Sequence, residues 1–295
     1  MSIIILGAKG QLARHLAEHF PDAVAWGRDT VDVADTPALE AALLEAAPRA
    51  IINAAAWTAV DQAESDPVAA WQVNAEAPAA AARAARQLDA ALLQVSTDYV
   101  FDGASSEIYA EDAPTHPLGV YGASKLAGEL ATRAICPRHW ILRTSWVFSA
   151  HGSNFVRTIL RLARAGGPLR IVADQFGRPT WAGDLARLIA AIEPGADEPR
   201  LDYGTYHATG GPAVSWQEFA AEITARACSI GLLSAPVEIQ PIATAEYPTP
   251  APRPQRAVLA PSSALADLEA TRFDWRDGLD TVLKQIMDDE QASAA

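Results

Sequence analysis

The sequence has few cysteines, an excess of acidic over basic residues and no long apolar run. Its only cysteines, Cys136 and Cys228, stand far apart, which excludes a disulfide framework or a CxxC metal site. We expect reduced thiols in a cytoplasmic protein. No apolar stretch reaches the roughly 18 residues of a membrane-spanning helix. The strand-like residues 3–6 follow the first residues without a basic segment, so a signal peptide is not expected either.

The charge balance limits the class of ligand. The chain has 23 Lys and Arg against 36 Asp and Glu, a formal net charge of −13, which argues against a nucleic-acid partner. An anionic small molecule remains compatible, provided that helix N-termini and a few placed arginines receive it. Half of the 295 residues are hydrophobic, enough for one large α/β domain with an appendage or for two modest domains.

The N-terminal segment has the pattern of a dinucleotide-binding unit. An apolar run at residues 3–6 predicts a buried parallel strand, and Gly7-Ala-Lys-Gly10-Gln-Leu-Ala13 leads from it into a helical stretch. Glycines at such a turn let the backbone approach a pyrophosphate at the helix N-terminus. The spacing is GxxGxxA rather than GxGxxG, so the match is partial.

The second strand predicted, residues 23–26, is followed by two residues that bear on the choice of cofactor. Arg28 suits the 2′-phosphate of NADP, whereas the adjacent Asp29 suits the free ribose hydroxyl of NAD. We therefore expect both cofactors to be accepted, and NADPH to be used at least as well as NADH.

A second group of polar residues follows a later strand. Residues 90–95 read as an apolar strand that delivers Ser96 and Thr97 to the rim of a sheet. Tyr121 and Lys125 are four apart in a helical pattern and so share a face. At about 4 Å and an effective dielectric near 20, the ammonium would attract a phenolate by about 4 kcal/mol, which predicts a tyrosine pKa lowered towards 7. Such a phenol suits proton donation to a carbonyl; the alternative is a chance surface pair.

The rest of the chain divides at about residue 165. We predict a dinucleotide-binding domain over residues 1–165, to which a strand near residues 205–208 returns, and a mostly substrate-binding domain over residues 166–295. The second part is richer in glycine and proline. It holds a helix from 182 to 192, a helix from 216 with Ser215 and Glu218 as a capping box, and a closing helix over 275–287 before a frayed tail.

Several phrases together resemble the extended short-chain dehydrogenase/reductase family. They are Ala54-Ala-Ala-Trp-Thr-Ala-Val-Asp61, Ser96-Thr-Asp-Tyr-Val-Phe-Asp-Gly103, Tyr121-Gly-Ala-Ser-Lys-Leu-Ala-Gly-Glu129, Arg143-Thr-Ser-Trp-Val-Phe148, Asp174-Gln-Phe-Gly-Arg-Pro-Thr180 and Arg253-Pro254. Within the family, they are most similar to reductases of dTDP-linked 4-keto-6-deoxy sugars. The resemblance implies a Rossmann-type doubly wound parallel sheet with a smaller, mostly C-terminal substrate domain.

The resemblance also implies roles for residues at the matching positions. Thr97 would be the active-site hydroxyl, Tyr121 the proton donor and Lys125 the contact to the nicotinamide ribose. The implied cofactor contacts, besides Tyr121, Lys125 and the Arg28 discussed above, are Gly7, Gly10, Gln11, Leu12, Asp32, Val33, Ala54, Ala55 and Thr58. The implied substrate contacts are Val60, Thr97, Asp98, Tyr99 and Trp146, with Arg178 and Arg253 as candidate anion contacts.

The implied reaction is NAD(P)H-dependent reduction of the C4 ketone of dTDP-4-dehydro-L-rhamnose, a step that supplies rhamnose for cell-surface polysaccharide. The alternatives are a reductase or epimerase of another nucleotide-linked sugar, or a non-catalytic homologue that binds nucleotide and regulates a partner. Members of the family can form a magnesium-linked homodimer. No carboxylate cluster in this sequence has spacing that supports a metal site, so Mg²⁺ and a homodimer stay open.

Overall fold

The fold is organised around a six-stranded parallel sheet. The structure, a computed structural model, describes residues 2–192, 194, 198, 200–266, 268 and 273–294. Across the sheet the strands are β10 (Gly204–His207), β5 (His139–Thr144), β4 (Ala91–Thr97), β3 (Ala50–Asn53), β1 (Ile3–Leu6) and β2 (Val24–Trp26). Every pairing in this sheet is parallel. The strand order reverses between β1 and β3, which is where this class of sheet binds its ligands. The doubly wound α/β fold expected from the sequence is confirmed.

Helices cover both faces of the sheet, so alternate residues of a strand enter different cores. The helices are α1 (Gln11–His19), α2 (Thr36–Ala46), α3 (Val60–Ser65), α4 (Pro67–Trp71), α5 (Ala77–Gln87), α6 (Val120–Ile135), α7 (Phe155–Ala165), α8 (Ala182–Ile192), α9 (Trp216–Ser229) and α10 (Trp275–Ala294). Ile3 and Ile5 pack into the core under α1 and α8. Ile4 and Leu6 pack into the core under α2 and α5. This double burial explains why β1 is an unbroken apolar run.

The helical segment that follows β3 contains a π-helical turn. The turn, Gln72–Glu76, lies between α4 and α5 and holds the buried Asn74. Asn74 Oδ1 accepts a hydrogen bond from the Trp57 amide at 2.9 Å, and its Nδ2 donates to Trp57 O at 3.1 Å and to Ser124 Oγ at 3.2 Å. The turn therefore fixes the segment after β3 against α6, as π-turns near functional sites often do.

A second core lies beyond the sheet, around Phe148, Phe219 and Trp275. Its short strands are β6 (Val147–Phe148), β7 (Leu169–Val172), β8 (Phe176–Gly177), β9 (Thr180–Trp181), β11 (Val214–Ser215) and β12 (Ile239–Ile242). The predicted capping box is present at the start of α9, where Ser215 and Glu218 each bond the other's amide at 3.1 and 2.7 Å.

Two features of the C-terminal half bear on its expected organisation. The frayed tail expected from residue 288 is wrong for residues 288–294, because α10 continues to Ala294 and Glu290 takes two hydrogen bonds from Arg164 at 2.8 and 2.9 Å. Helix α8 and strand β10 pack with the parallel sheet. The domain division at residues 165 and 166 stays a prediction.

No helix within the described ranges is long and apolar enough to cross a membrane.

Candidate active site

A cavity of about 730 Å³ runs along the carboxyl ends of the central strands. The cofactor residues predicted from the sequence that line it are Gly7, Gly10, Gln11, Leu12, Arg28, Val33, Ala54, Ala55, Thr58, Tyr121 and Lys125. Asp32 is the exception: it belongs to a turn, where its Oδ1 accepts from the Ala34 amide at 3.1 Å. The cavity lies at the switch point between β1 and β3, so topology and lining agree on where a dinucleotide would bind.

The glycine turn fits such a ligand. Gly7 has a φ of +94°, and a Cβ at this position would lie 2.9 Å from Ala55 Cα, so only glycine suits the turn. Gly10 is the N-cap of α1 and no side chain caps the helix. The amides of the first helical turn are therefore left for an anionic ligand, and a pyrophosphate group matches them in charge and geometry.

Lys9, which was not predicted from the sequence, also lines the cavity together with Arg28. Its Nζ lies 3.6 Å from Asp29 Oδ2, and both side chains are largely exposed. The ion pair offsets the acidic residue that would otherwise oppose a 2′-phosphate. The sequence did contain a signal for this role, because Lys9 is the only charged residue within the glycine turn.

The predicted proton-donor pair, Tyr121 and Lys125, lies where α6 packs on β4. Tyr121 and Lys125 are both buried on α6, and Lys125 Nζ donates to the Val95 carbonyl at 2.6 Å. Thr97 ends β4; its hydroxyl donates to Asp98 Oδ1 at 3.0 Å and accepts from the Tyr99 amide at 3.2 Å. Of the three residues predicted as catalytic, Tyr121 and Lys125 line one corner of the cavity, and Thr97 lies beside Tyr121 without lining it.

The prediction of a tyrosine pKa near 7 is wrong for this arrangement. Burial raises the pKa of Tyr121, and the charge of Asp98 raises it further, whereas a hydrogen bond with the Thr97 side chain only partly offsets these effects. The Lys125 ammonium is directed at the Val95 carbonyl. The spacing of Tyr121 and Lys125 predicted that they share a face of the helix, but it could not predict that burial would desolvate the tyrosine. The consequence is a phenol that stays fully protonated at neutral pH.

Asp98 and Tyr99 complete this corner. Asp98 is 3% exposed, and burial raises the pKa of its carboxyl group to about 7. Burial also raises the pKa of Tyr99, so this phenol is a poor base. The Tyr99 ring meets the Tyr121 ring edge to face at a centroid distance of 5.3 Å, and Val60 packs against the same cluster.

Arg253 reaches this corner from the C-terminal half. Its Nη2 lies 2.7 Å from Asp61 Oδ2, and its Nη1 donates to the Tyr99 hydroxyl at 3.3 Å. The guanidinium is therefore already paired with a carboxylate. The sequence analysis did not identify Asp61 as that partner.

Trp146 and Arg178 form a neighbouring group. Trp146 has a φ of +48° and stacks on Trp216 at a centroid distance of 3.4 Å. Gly177 leaves room for the Trp146 ring, since a Cβ there would overlap it. Arg178 Nη1 donates to Gly210 O at 3.3 Å, while its buried Nε has no partner within the described part of the chain. The sequence offered no signal for Trp216, because the stack joins residues far apart in the chain.

Within the ranges that the structure describes, no group of three or more His, Cys, Asp or Glu residues could hold a metal ion.

Comparison with known proteins shows the family. A family model described as the RmlD substrate binding domain matches residues 1–287. The chain is 40% identical to a dTDP-4-dehydrorhamnose reductase from Burkholderia thailandensis, over 97% of this chain and 99% of the relative. It is 39% identical to a probable dTDP-4,6-dihydroxy-2-methyloxan-3-one 4-ketoreductase from Streptomyces antibioticus, over 97% of this chain and 96% of that one.

The fold also matches a solved structure. A dTDP-4-dehydrorhamnose reductase from Bacillus anthracis, crystallised in complex with NADP, superimposes with a TM-score of 0.86 at 32% identity, covering 97% of this chain and 100% of that chain.

Proposed function

The chain belongs to the RmlD substrate binding domain family, whose curated members include dTDP-4-dehydrorhamnose reductases, and from this membership we infer its reaction. It reduces the C4 ketone of dTDP-4-dehydro-L-rhamnose to the alcohol of dTDP-L-rhamnose with NADPH or NADH. The observation that carries this function is that Tyr121 and Lys125 line the cavity that contains the glycine turn, with the Thr97 side chain beside Tyr121. When bound, the nicotinamide cofactor supplies the hydride.

We propose that the chain's own residues divide the remaining work. The glycine turn and the N-terminus of α1 would hold the pyrophosphate, and Lys125 would hold the nicotinamide ribose. Tyr121 would give its phenolic proton to the C4 oxygen as the ketone becomes an alcohol, and solvent would restore that proton. Because the pKa of Tyr121 is raised, the proton is present at neutral pH. The buried Lys125 ammonium would stabilise the negative charge left on the phenol oxygen.

Thr97 is proposed to hydrogen-bond the same substrate oxygen. Its single proton is directed at Asp98 Oδ1 in the structure, at 3.0 Å. The hydroxyl would therefore turn from Asp98 to the substrate when the sugar binds. A pKa of about 7 for Asp98 makes this turn easier, since the protonated carboxyl can itself donate to Thr97.

The diphosphate of the substrate is assigned to Arg178 rather than to Arg253. Arg253 already has the Asp61 carboxylate at 2.7 Å. Arg178 has a buried, unpartnered Nε and a pKa lowered by burial. A desolvated guanidinium of this kind gains most from an anionic ligand. Val60, Tyr99 and Trp146 are proposed to face the sugar.

The direct test is an assay of the purified protein with dTDP-4-dehydro-L-rhamnose and NADPH. One NADPH should be consumed for each sugar reduced, with dTDP-L-rhamnose as the product. Absence of NADPH consumption by folded protein that binds NADPH would overturn the proposed substrate.

A second candidate is reduction of a different dTDP-linked 4-keto sugar. It is favoured by the 39% identity to the Streptomyces antibioticus relative, which extends over 97% of this chain. The two candidates share the catalytic corner and differ only at the sugar. A comparison of kcat/KM for the two 4-keto sugars decides between them.

Two further proposals concern the setting of the reaction. A cytoplasmic location is supported by the free thiols of Cys136 and Cys228. A homodimer rests on the family resemblance alone, and sedimentation of the purified chain with and without Mg²⁺ tests it.

A further inference from the structure

A buried ion pair lies directly behind the catalytic helix and has no role in the reaction described above. Glu129 follows Lys125 by one turn on α6 and is fully buried, and Arg143 on β5 is 2% exposed. Arg143 donates to the Glu129 carboxylate from Nε at 3.0 and 3.2 Å and from Nη2 at 2.8 Å. Desolvation largely cancels the stabilisation that a buried pair provides, so stability alone does not account for it.

The same carboxylate also holds the end of β4. Ser96 Oγ donates to Glu129 Oε1 at 2.5 Å, and Ser96 lies opposite Arg143 in the register of β4 and β5. One residue earlier, the Val95 carbonyl accepts from Lys125 Nζ at 2.6 Å. Two consecutive residues of β4 are thus bonded to two residues one turn apart on α6. These two bonds set where α6, and therefore its catalytic side chains, crosses the end of the strand.

Glu129 also controls the charge of Lys125. Burial lowers the pKa of Lys125 to about 8, and the Glu129 carboxylate raises it. The other ionisable groups nearby are Tyr121 on the same helix, Asp98 after β4, Arg143 on β5, and Arg133, whose Nη2 lies 3.8 Å from Glu129 Oε2. Without the carboxylate, Arg143 would remain as an uncompensated cation, which disfavours a second cation at Lys125.

We propose that Glu129 is a positioning residue for Lys125, which it places at the cofactor cavity and keeps protonated at neutral pH. This proposal depends on the proposed function in one respect only, namely that Lys125 holds the cofactor. Its consequence is that NADPH affinity and turnover depend on a carboxylate that touches neither cofactor nor substrate.

The first experiment measures NADPH affinity by fluorescence between pH 6 and pH 10 for wild type, Glu129→Gln and Arg133→Ala. In Glu129→Gln, the alkaline pH at which NADPH affinity falls should move down by about one unit or more, because the Glu129 charge raises the pKa of Lys125 and a nearby opposite charge shifts a pKa by about 1 to 3 units. Arg133→Ala is the matched control, since Arg133 approaches the same carboxylate from the exposed side, and its midpoint should stay at the wild-type value. A folded Glu129→Gln protein with the wild-type midpoint would overturn the proposal.

The second variant, Ser96→Ala, leaves every charge in place and removes only one of the two bonds to β4. Its alkaline midpoint should match wild type, while kcat with the 4-keto sugar falls by about 5-fold or more. A wild-type kcat would overturn the positioning role, including in the case that Glu129→Gln does not fold. The NADPH-binding measurement needs no sugar. If the proposed substrate is wrong, wild type will show no turnover with it, but the shift of the alkaline midpoint in Glu129→Gln will still be observed.

Discussion

The positive charge of Arg178 is not neutralised by a carboxylate within the part of the chain that the structure describes. Its Nε is buried without a partner, and its Nη1 donates to Gly210 O at a long 3.3 Å. Burial lowers the pKa of the guanidinium, the direction expected of a desolvated cation. A buried donor left without a partner costs about 1 to 3 kcal/mol, so the free protein is less stable because of this residue.

Replacing Arg178 by Met should therefore separate stability from binding. The change removes a partly buried charge with its unpartnered Nε and loses one weak hydrogen bond worth about 1 kcal/mol, so the free energy of unfolding should rise by about 1 kcal/mol. In a chain of this size that corresponds to an increase in Tm of about 2 °C. The KM for the dTDP-linked sugar should rise at least about 10-fold, because a hydrogen bond between charged groups contributes about 1.5 to 3 kcal/mol.

Thermal melts and initial rates at saturating NADPH check both effects. Arg253→Met is the matched control: it strips Asp61 of a partner at 2.7 Å, so its Tm should fall instead of rise. A lower Tm together with an unchanged KM for Arg178→Met would refute the assignment of Arg178 to the diphosphate.

Two other variants test the cofactor site and the buried carboxyl group. Arg28→Ala should raise the KM for NADPH several-fold and leave that for NADH unchanged, as initial rates with each cofactor would show; equal effects on both would exclude a 2′-phosphate contact. Asp98→Asn should stabilise the protein at pH 8 by up to about 4 kcal/mol, because the folded pKa of about 7 exceeds the unfolded value of 3.8. The wild-type protein loses this stability as pH rises from about 4 to about 7. The Tm values of wild type and Asp98→Asn should therefore agree at pH 4 and differ at pH 8.

Local sequence patterns predicted the elements that carry the site. The apolar runs at residues 3–6 and 90–95 became β1 and β4, which lead into Gly7 and Thr97, and parallel strands present their carboxyl ends at one edge. The 3.6-residue periodicity placed Tyr121 and Lys125 on one face of α6. These inferences succeeded because strand burial and helix periodicity are properties of short stretches of chain.

Properties that depend on several distant segments were not predicted. The prediction of a lowered pKa for Tyr121 was wrong, because desolvation depends on all the residues that pack around the phenol. The stack of Trp146 on Trp216 joins residues 70 positions apart, and the partner of Arg253, Asp61, lies near the other end of the chain. Glu129 stood within a recognised phrase, yet only the register between β4 and β5 brings Ser96 and Arg143 to its carboxylate.

The central claim is that Tyr121 donates the proton when the C4 ketone is reduced by NAD(P)H. The most direct measurement compares kcat of wild type and Tyr121→Phe with dTDP-4-dehydro-L-rhamnose and NADPH. Circular dichroism verifies that the variant is folded. A second assay offers wild type dTDP-glucose without NADPH. The account predicts at least a 100-fold loss of kcat in the folded variant and one NADPH consumed per sugar by wild type. It also predicts no product from dTDP-glucose, since the raised pKa of Tyr99 makes its phenol a poor base for elimination. Wild-type turnover by Tyr121→Phe, or elimination product from dTDP-glucose alone, would contradict it.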